Sequence, residues 1–337
     1  MLIDRWLLEN LVCPRDDEPM ELFGAQLKCA NGHAYRIVDG IPILLRDDVD
    51  HVHWAAVRAL ELSEEILLSG AGDAGGASVH PFVQRAIGGT NGIMYGSLTG
   101  NLASYPIPSL RAEPSSGTRF LDIGCNWGRW CIAASRAGFE PIGIDPSYEA
   151  VHAARAVAKQ LGVEAQFVVA DARHLPFRSE SFDFAFSYSV LQHLPKTQVR
   201  ESLTAIRRVL RAEGRALLQM PNKFGVRSVY HQARRRFRDA RAFEVRYWSV
   251  PELEETFSEL IGPAEISVDG FLSLNVQASD RSLLPARFRA IVSVSEGLRK
   301  LSEIFTGLRY LADSVYVLSK KSPIAHAGFR PDRSRET

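Results

Sequence analysis

The stretch that decides the fold is Phe120-Leu-Asp-Ile-Gly-Cys-Asn-Trp-Gly128. Its apolar start predicts a buried strand, and its glycines predict a tight turn into a helix. Two later segments also end a strand at an acidic residue, namely Gly143-Ile-Asp145 and Val169-Ala-Asp171. A glycine turn lets backbone N–H groups approach a ligand closely, and open α/β sheets bind ligands at the carboxyl ends of their strands. We therefore expect one ligand site at these three strand ends.

Strand and helix patterns alternate from residue 119 onward. The predicted strands are 119–123, 140–144, 165–170, 182–187 and 214–220, and the predicted helices are 128–137, 147–161 and 197–211. Beyond them we expect a helix near 251–260, strands near 264–268 and 314–318, and a helical segment over 286–306. Strands separated by helices of this length predict crossover connections. The fold class is therefore α/β, with a Rossmann-like doubly wound sheet and helices on both faces.

The three acidic strand ends together resemble the class I S-adenosylmethionine-dependent methyltransferases. The first motif of that family is an acidic residue followed by a glycine-rich loop, and Asp122, Gly124 and Gly128 match it. Asn126 stands where the family usually has glycine, but asparagine tolerates a positive φ better than most residues. The resemblance is specific over residues 119–221 and implies a seven-stranded core.

The resemblance also implies a binding site for S-adenosylmethionine. Asp145 would bind the two ribose hydroxyls, Asp171 the adenine amino group, and the loop after Asp122 the methionine end. The expected cofactor-binding residues are Asp122, Gly124, Cys125, Asn126, Trp127, Gly128, Asp145, Pro146, Asp171, Ala172 and Ser187. The alternative for each acidic residue alone is a helix cap. A dinucleotide dehydrogenase shares the glycine turn, but Asp171 on the third strand end favours the methyltransferase.

Two residues at the end of the fourth core strand are candidates for the catalytic site. His193 has the side chain expected of a general base near neutral pH, although many members of the family carry a similar Leu-x-His-Leu here, which favours a structural position. Tyr188 is expected to line the acceptor site. Methyl transfer does not require an acid or a base, because in-line positioning of an activated methyl group lowers much of the barrier.

The N-terminal residues 1–48 form a separate pattern of short strands and turns. The segment, which closes with Asp39-Gly-Ile-Pro-Ile-Leu-Leu45, resembles the small zinc-ribbon-like domain that activates tRNA and release-factor methyltransferases. The resemblance implies a zinc site at Cys13, Asp16, Cys29 and His33, since zinc accepts sulfur, nitrogen and oxygen ligands in a tetrahedron. Asp16 replaces a cysteine of the pattern, and the alternative is a module that folds without metal.

The chain divides by pattern into four parts. We expect the ribbon-like module over 1–48, a helical linker and cofactor-covering segment over 49–113, the methyltransferase domain over 114–321, and a disordered tail over 322–337. The domain carries two insertions, 222–250 and 270–312, which are expected to form a helical substrate cap, and residues 70–76 are expected to form a flexible break. The sequence contains no internal repeat.

Composition narrows the classes of partner and location. The 337 residues include 46% hydrophobic residues, enough for a buried core, and 40 Lys and Arg against 39 Asp and Glu leave a net charge of +1. Such a charge gives no general attraction to nucleic acid or to an anionic membrane. The four cysteines are too few for a disulfide scaffold, and the sequence shows neither a secretory signal nor a long apolar run. We expect a cytoplasmic protein without a membrane span.

The expected function is methylation of a hydroxyl of a small molecule such as a sugar, a polyketide or another secondary metabolite. The large predicted cap favours a small acceptor, because enclosure excludes water and fixes orientation. One alternative is an rRNA or tRNA methyltransferase; another is a non-catalytic module that binds the cofactor or docks a partner. The arginine-rich segment 227–246 is either a phosphate-binding site or a solvated helix face.

Overall fold

A mixed sheet of eleven strands runs through the molecule in the order β1-β2-β3-β4-β7-β6-β5-β8-β9-β11-β10. The computed structural model describes residues 3–71, 78–112, 114, 117–272 and 276–323. The strands are β1 Met20–Phe23, β2 Gln26–Cys29, β3 Ala34–Val38, β4 Ile41–Leu44, β5 Arg119–Ile123, β6 Glu140–Asp145, β7 Gln166–Ala170, β8 Phe182–Ser187, β9 Leu210–Pro221, β10 Ala264–Gly270 and β11 Ser314–Lys320. The predicted doubly wound sheet is confirmed, and β5 to β11 supply its seven core strands.

The described helices alternate with these strands. They are α1 Arg5–Asn10, α2 Trp54–Glu61, α3 Glu64–Ala71, α4 Pro81–Thr90, α5 Arg129–Arg136, α6 Tyr148–Gln160, α7 Lys196–Val209, α8 Val226–Arg234, α9 Val250–Leu260 and α10 Ala286–Ile304. Strands β7, β6, β5, β8 and β9 are parallel neighbours, and the order reverses between β5 and β8. In such sheets the crevice at the reversal point is where a ligand binds.

The N-terminal strands join the same sheet. Ile43 pairs with Val169 and Leu44 with Ala170 in a parallel ladder between β4 and β7. Residues on both sides of the junction, among them Tyr35, also share one core cluster with residues of the central strands. The ribbon-like module therefore continues the core sheet rather than packing beside it, a pairing that local sequence patterns do not encode.

The segment 270–312 packs in part on the N-terminal helical region. Among its residues, Leu284 and Val292 pack into a buried cluster with Val83 and Ile87 of α4, and Asp280 accepts a hydrogen bond from Tyr95. Part of the apolar surface of this segment therefore shares a core with α4, whereas Val294, Ile304 and Phe305 are exposed. Its expected role as a substrate cap stays a prediction.

Two expectations fall outside the described residues. The flexible break falls mostly on residues 72–77, and the disordered tail falls almost entirely on residues 324–337, neither of which is described. Within the described ranges, every helix is too short or too polar to traverse a lipid bilayer.

Candidate active site

A single large cavity of about 1230 Å³ opens at the carboxyl ends of β5, β6, β7 and β8. Its size exceeds the roughly 300–1000 Å³ of a typical small-molecule site, so it has room for two ligands side by side. Of the residues predicted from sequence, the cavity wall contains Gly124, Asn126, Asp145, Pro146, Asp171, Ala172, Tyr188 and His193. The structure therefore brings six of the eleven predicted cofactor-binding residues and both catalytic candidates to one space.

The turn after β5 has the left-handed backbone that its sequence predicts. Gly124, Asn126 and Gly128 have φ angles of 77°, 47° and 80°. A Cβ added to Gly124 would lie 2.2 Å from a side-chain carbon of Val190, so this position requires glycine for space as well as for φ. The expectation that asparagine could replace the middle glycine is confirmed.

Asp145 ends β6 with its carboxylate on the cavity wall. One carboxylate oxygen accepts a hydrogen bond from the Asn126 N–H at 3.1 Å, and the other accepts from the Ser147 N–H at 2.9 Å. These two donors fix the carboxylate plane and tie the tip of β6 to the glycine turn. Burial raises the pKa of Asp145 to about 6, because the charged form loses water. An oriented carboxylate with free lone pairs suits a pair of adjacent hydroxyls.

Asp171 ends β7 and is held by Arg173 and His51. Arg173 donates from Nε at 3.0 Å and from Nη2 at 2.7 Å, and His51 Nδ1 lies 3.3 Å from Oδ2. Burial alone would raise the pKa of Asp171, but the hydrogen bonds from His51 and Arg173 outweigh it and hold the pKa below its usual range. The carboxylate stays ionised, and the Arg173 backbone N–H also donates to its Oδ1 at 2.9 Å, so each oxygen already has at least two hydrogen-bond partners.

His51 was not found by sequence reasoning, although it lines the cavity. Its Nε2 lies 2.7 Å from the Arg46 carbonyl oxygen, so both ring nitrogens face oxygen acceptors. The hydrogen bond with Asp171 raises the pKa of His51 above its usual value. His51 and Asp171 are 120 positions apart, and no local pattern marks the pair.

Asp122 lies behind the glycine turn rather than on the cavity wall. Its side chain is 1% exposed, and Cys131 Sγ donates to one carboxylate oxygen at 3.4 Å. The other oxygen has no hydrogen-bond partner within the described ranges. Burial raises the pKa of Asp122 to about 7. Its position favours support of the loop over direct contact with a ligand.

Four other predicted cofactor residues also lie outside the wall, because their side chains pack inward. These are Cys125, Trp127, Gly128 and Ser187. Trp127 is fully buried and donates from Nε1 to Asn91 Oδ1 at 3.1 Å, and Ser187 Oγ donates to the Ile123 carbonyl oxygen at 3.0 Å. From the sequence we expected Trp127 to contact the cofactor, but its ring is buried and does not reach the cavity.

Tyr188 lines the cavity with a hydroxyl that is already paired. The hydroxyl donates to Asp269 Oδ2 at 2.9 Å and accepts from Gln277 Nε2 at 2.7 Å. Burial raises the pKa of Tyr188 well above 10, so the hydroxyl keeps its proton. Tyr188 is thus placed to shape the cavity, where the sequence predicts that it lines the acceptor site, and its protonated hydroxyl is not available to accept a proton.

His193 is held in one orientation beside the cavity. Its ring stacks on Phe243 with centroids 3.9 Å apart and planes 4° apart, and Nδ1 donates to the Phe243 carbonyl oxygen at 2.7 Å. A carbonyl can only accept, so Nδ1 carries the proton and Nε2 is the acceptor. Gln192 Nε2 lies 3.2 Å from that Nε2 atom. Burial lowers the pKa of His193 to about 4, and the ring is therefore neutral at physiological pH.

The segment after β9 forms the far wall of the same cavity. Its cavity-lining residues are His231, Arg234, Arg235, Arg236, Arg238, Phe243, Glu244, Val245 and Tyr247. Arg246 links this segment to the His193 wall of the cavity, because its Nη1 donates to the His193 carbonyl oxygen at 2.6 Å. By contrast, within the described ranges no residue of 270–312 lines the cavity.

The central part of the chain matches a known domain family. Residues 120–214, less than a third of the 337-residue chain, match the family model described as "Methyltransferase domain". This segment is a methyltransferase domain. It contains the glycine turn, Asp145, Asp171 and His193, and the rest of the cavity wall comes from residues before and after it.

Similar curated proteins match about a third of the chain or less. An uncharacterized methyltransferase, YcgJ of Bacillus subtilis, is 36% identical over 108 residues, which are 32% of this chain and 42% of YcgJ. A ubiquinone biosynthesis O-methyltransferase of Rhizobium etli is 32% identical over 88 residues, 26% of this chain and 36% of that protein. The chain thus spans less than half the length of these relatives.

Solved structures align with a larger share of the chain than the curated relatives do. The structure of YcgJ from Bacillus subtilis aligns with a TM-score of 0.43 and 25% identity, covering 63% of this chain and 95% of that one. A complex between the Haloferax volcanii Trm112 methyltransferase activator and the putative methyltransferase aligns with a TM-score of 0.45 and 19% identity, over 64% and 87%. The phosphoethanolamine N-methyltransferase 2 of Haemonchus contortus, in complex with S-adenosyl-L-methionine, has a TM-score of 0.45 and 20% identity, over 74% and 61%.

A second cluster of ligating side chains lies outside the methyltransferase domain. Single donor atoms of Cys13, Asp16, Cys29 and His33 all lie within 4.8 Å of one another. His33 Nδ1 is 3.4 Å from Cys13 Sγ and 3.5 Å from Cys29 Sγ, and Cys29 Sγ is 3.7 Å from Asp16 Oδ2. Zinc bonds of about 2.0–2.3 Å give tetrahedron edges of about 3.3–3.8 Å. His33 Nδ1 lies closer to Asp16 Oδ2, at 3.0 Å, and the four residues predicted from sequence are thus brought together at close to the spacing of a tetrahedral zinc site.

Proposed function

We propose that this protein transfers the methyl group of S-adenosylmethionine to a hydroxyl of a small-molecule acceptor. The observation that supports it is the single cavity in which the Asp145 carboxylate and the glycine turn face His193 and the arginine-rich segment. One part of the cavity has the groups that the cofactor needs, and the other part leaves space for an acceptor.

The residues fit the cofactor by their chemistry. Asp145 offers oriented carboxylate oxygens to the ribose hydroxyls. Asp171 offers an ionised carboxylate to the adenine amino group, and the turn at Gly124 allows the backbone to approach the methionine end closely. Ile144, Pro146 and Ala172 give the cavity apolar wall beside these acids. When bound, S-adenosylmethionine supplies a methyl group that its sulfonium already activates.

A neutral His193 supports a hydroxyl acceptor. Its Nε2 lone pair is oriented by the Nδ1 hydrogen bond to the Phe243 carbonyl and faces Gln192 Nε2 at 3.2 Å, so a hydroxyl that displaces this amide can pass its proton to Nε2 on methylation. The ring needs no deprotonation first, because its pKa is about 4. The stacked Phe243 keeps the imidazole plane fixed, which limits the entropy lost when the acceptor is positioned.

Calorimetric titration tests the cofactor. The purified protein is titrated with S-adenosylmethionine and S-adenosylhomocysteine, with NAD as the control ligand. Micromolar binding of the first two, without binding of NAD, is expected. Binding of NAD alone would instead make the domain a dehydrogenase, and turnover of no acceptor despite tight cofactor binding would favour a non-catalytic module.

We also propose that Cys13, Asp16, Cys29 and His33 hold a structural zinc ion. The spacing of their donor atoms supports this, and the closed four-ligand set leaves no open position for catalysis. Metal analysis of protein purified with zinc present should give one zinc per chain. Cys29→Ser should lose it, whereas Cys131→Ala, a change at a buried cysteine outside the cluster, should retain it. The proposal would be refuted if wild-type protein contained no zinc and its thermal stability were the same with and without added zinc.

A further inference from the structure

The far wall of the cavity carries three arginines in succession, which we name the arginine rim: Arg234, Arg235 and Arg236. The neighbouring Arg238 is neutralised by Glu244, with two hydrogen bonds of 2.6 and 2.7 Å. By contrast, within the described ranges no carboxylate lies within ion-pair distance of a rim arginine. The rim therefore places uncompensated positive charge on the cavity wall.

Buried polar atoms at the rim lack partners. Arg235 donates from Nη1 to the Val245 carbonyl oxygen at 2.9 Å, but its buried Nε has no hydrogen-bond partner in the described part of the chain. The same holds for His231 Nε2, one helical turn earlier on α8. Both atoms are covered by the protein itself and do not reach a ligand in the cavity, so anion binding at the rim falls to the exposed side chains of Arg234 and Arg236.

The nearby acidic residues are committed elsewhere. Asp313 accepts from the N–H groups of Arg227 and Ser228 at the start of α8, and Glu149 pairs with Arg58. The helix dipole favours a basic residue at the end of α8, which accounts for one arginine there. It does not account for the neighbouring arginines that line the same cavity. A solvated helix face, the alternative for this charge run, would not bring three successive arginines to a cavity wall.

The rim is joined directly to the catalytic side. Phe243, in the loop after the rim, stacks on His193, and the Arg246 N–H donates to the Gln192 carbonyl oxygen at 2.8 Å. Val245 and Tyr247 add apolar and aromatic surface beside the rim. An acceptor with an anionic end at the rim would therefore reach His193 along an apolar wall.

We infer that the methyl acceptor is a small molecule with an oxyanion, a phosphate or a carboxylate, which the arginine rim binds. This inference rests on the proposed function, since it names the acceptor of the same site. Guanidinium groups match both oxyanions because they donate two parallel hydrogen bonds. The position of the rim on the wall of a concave cavity and the net charge of +1 favour a small molecule over a nucleic acid.

Binding of simple probes tests the inference. Protein saturated with S-adenosylhomocysteine is titrated with phenyl phosphate, benzoate and phenol, in low salt and in 0.5 M salt. We expect the oxyanion probes to bind at least about tenfold more tightly than phenol, with the advantage reduced by salt. The stronger of phenyl phosphate and benzoate identifies which oxyanion the site takes.

Variants locate the probe. Arg234→Gln, Arg235→Gln and Arg236→Gln combined should weaken binding of phenyl phosphate or benzoate by at least about tenfold. The matched control combines Arg136→Gln, Arg215→Gln and Arg287→Gln, three exposed arginines outside the cavity, and should bind the probe like wild type. Thermal unfolding of both triple variants checks that they fold.

Three results would overturn the inference. They are equal affinity for phenol and the oxyanions, an unchanged probe affinity in the rim variant, and preferential binding of a short RNA that is lost with the rim. The affinity for S-adenosylmethionine is measured in parallel and should not change in the rim variant. If wild type fails to bind S-adenosylmethionine, the proposed function fails, whatever the probes show at the rim.

Discussion

Replacement of Asp145 by asparagine is the most direct perturbation of the candidate cofactor site. In the structure each carboxylate oxygen accepts one backbone N–H, from Asn126 and from Ser147. Asparagine keeps one of these acceptors and turns an amide donor toward the other N–H. The change therefore removes the negative charge and also disturbs the geometry that orients the group.

The size of the effect follows from the bonds that are lost. Hydrogen bonds to a charged group contribute about 1.5–3 kcal/mol each, and two ribose hydroxyls would lose this contribution. We expect the affinity of Asp145→Asn for S-adenosylmethionine to fall by at least about 100-fold, equivalent to about 2.7 kcal/mol. Glu255→Gln, a change at an exposed carboxylate of α9, is the control and should bind like wild type.

The pH dependence gives a second, independent measure. Burial raises the pKa of Asp145 to about 6, and the protonated form cannot accept from both hydroxyls. One pH unit below the pKa about ten-elevenths of the carboxyl is protonated, so the apparent affinity should fall about tenfold between pH 7 and pH 5. The α-amino group of S-adenosylmethionine, for which a pKa of about 7.7–8.0 is typical, stays protonated over this range and contributes little to the change in affinity.

Isothermal titration at pH 7, 6 and 5 provides the measurement. Wild type should weaken as the pH falls, and Asp145→Asn should be weak and nearly independent of pH. Unfolding of each variant is followed at the same pH values, so that loss of binding is separated from loss of structure. Equal affinity of wild type and Asp145→Asn, or a flat profile in wild type, would refute the assignment of the ribose contact.

Three further predictions concern the turn, the buried carboxyl and the base. Because burial raises the pKa of Asp122 to about 7, the folded state retains a proton that the unfolded chain has lost, so stability falls as pH rises from about 4 to 7. In urea unfolding, Asp122→Asn should lose this part of the dependence of the unfolding free energy on pH. An unchanged dependence would contradict the prediction. Gly124→Ala should abolish cofactor binding because its Cβ meets Val190, whereas Gly162→Ala, with φ of 65° and open space, should cost only about 1 kcal/mol in thermal unfolding and leave binding intact. His193→Gln should lower turnover by about 10²–10⁴-fold with unchanged cofactor affinity, and the acid limb of wild-type kcat should lie near pH 4; a limb near 6.5 would argue against the buried base.

Local sequence patterns determined most of the core. The strand at Arg119–Ile123 and the helix at Tyr148–Gln160 lie within one or two residues of their expected bounds, because hydrophobic periodicity and turn residues act over short distances. The left-handed φ of Asn126 was equally local, since it depends on the residue type and on the adjacent glycines. The positions of Asp145 and Asp171 at one sheet edge followed from the rule for parallel strands.

Contacts between distant segments were decided only by the tertiary structure. The pairing of β4 with β7, the His51–Asp171 hydrogen bond and the stacking of Phe243 on His193 join residues 50 to 126 positions apart. Trp127 also turned inward, and part of the segment 270–312 packed on α4. Periodicity identifies which side of an element is apolar but not which surface will cover it, because that choice depends on the combined burial of elements that the chain brings together only on folding.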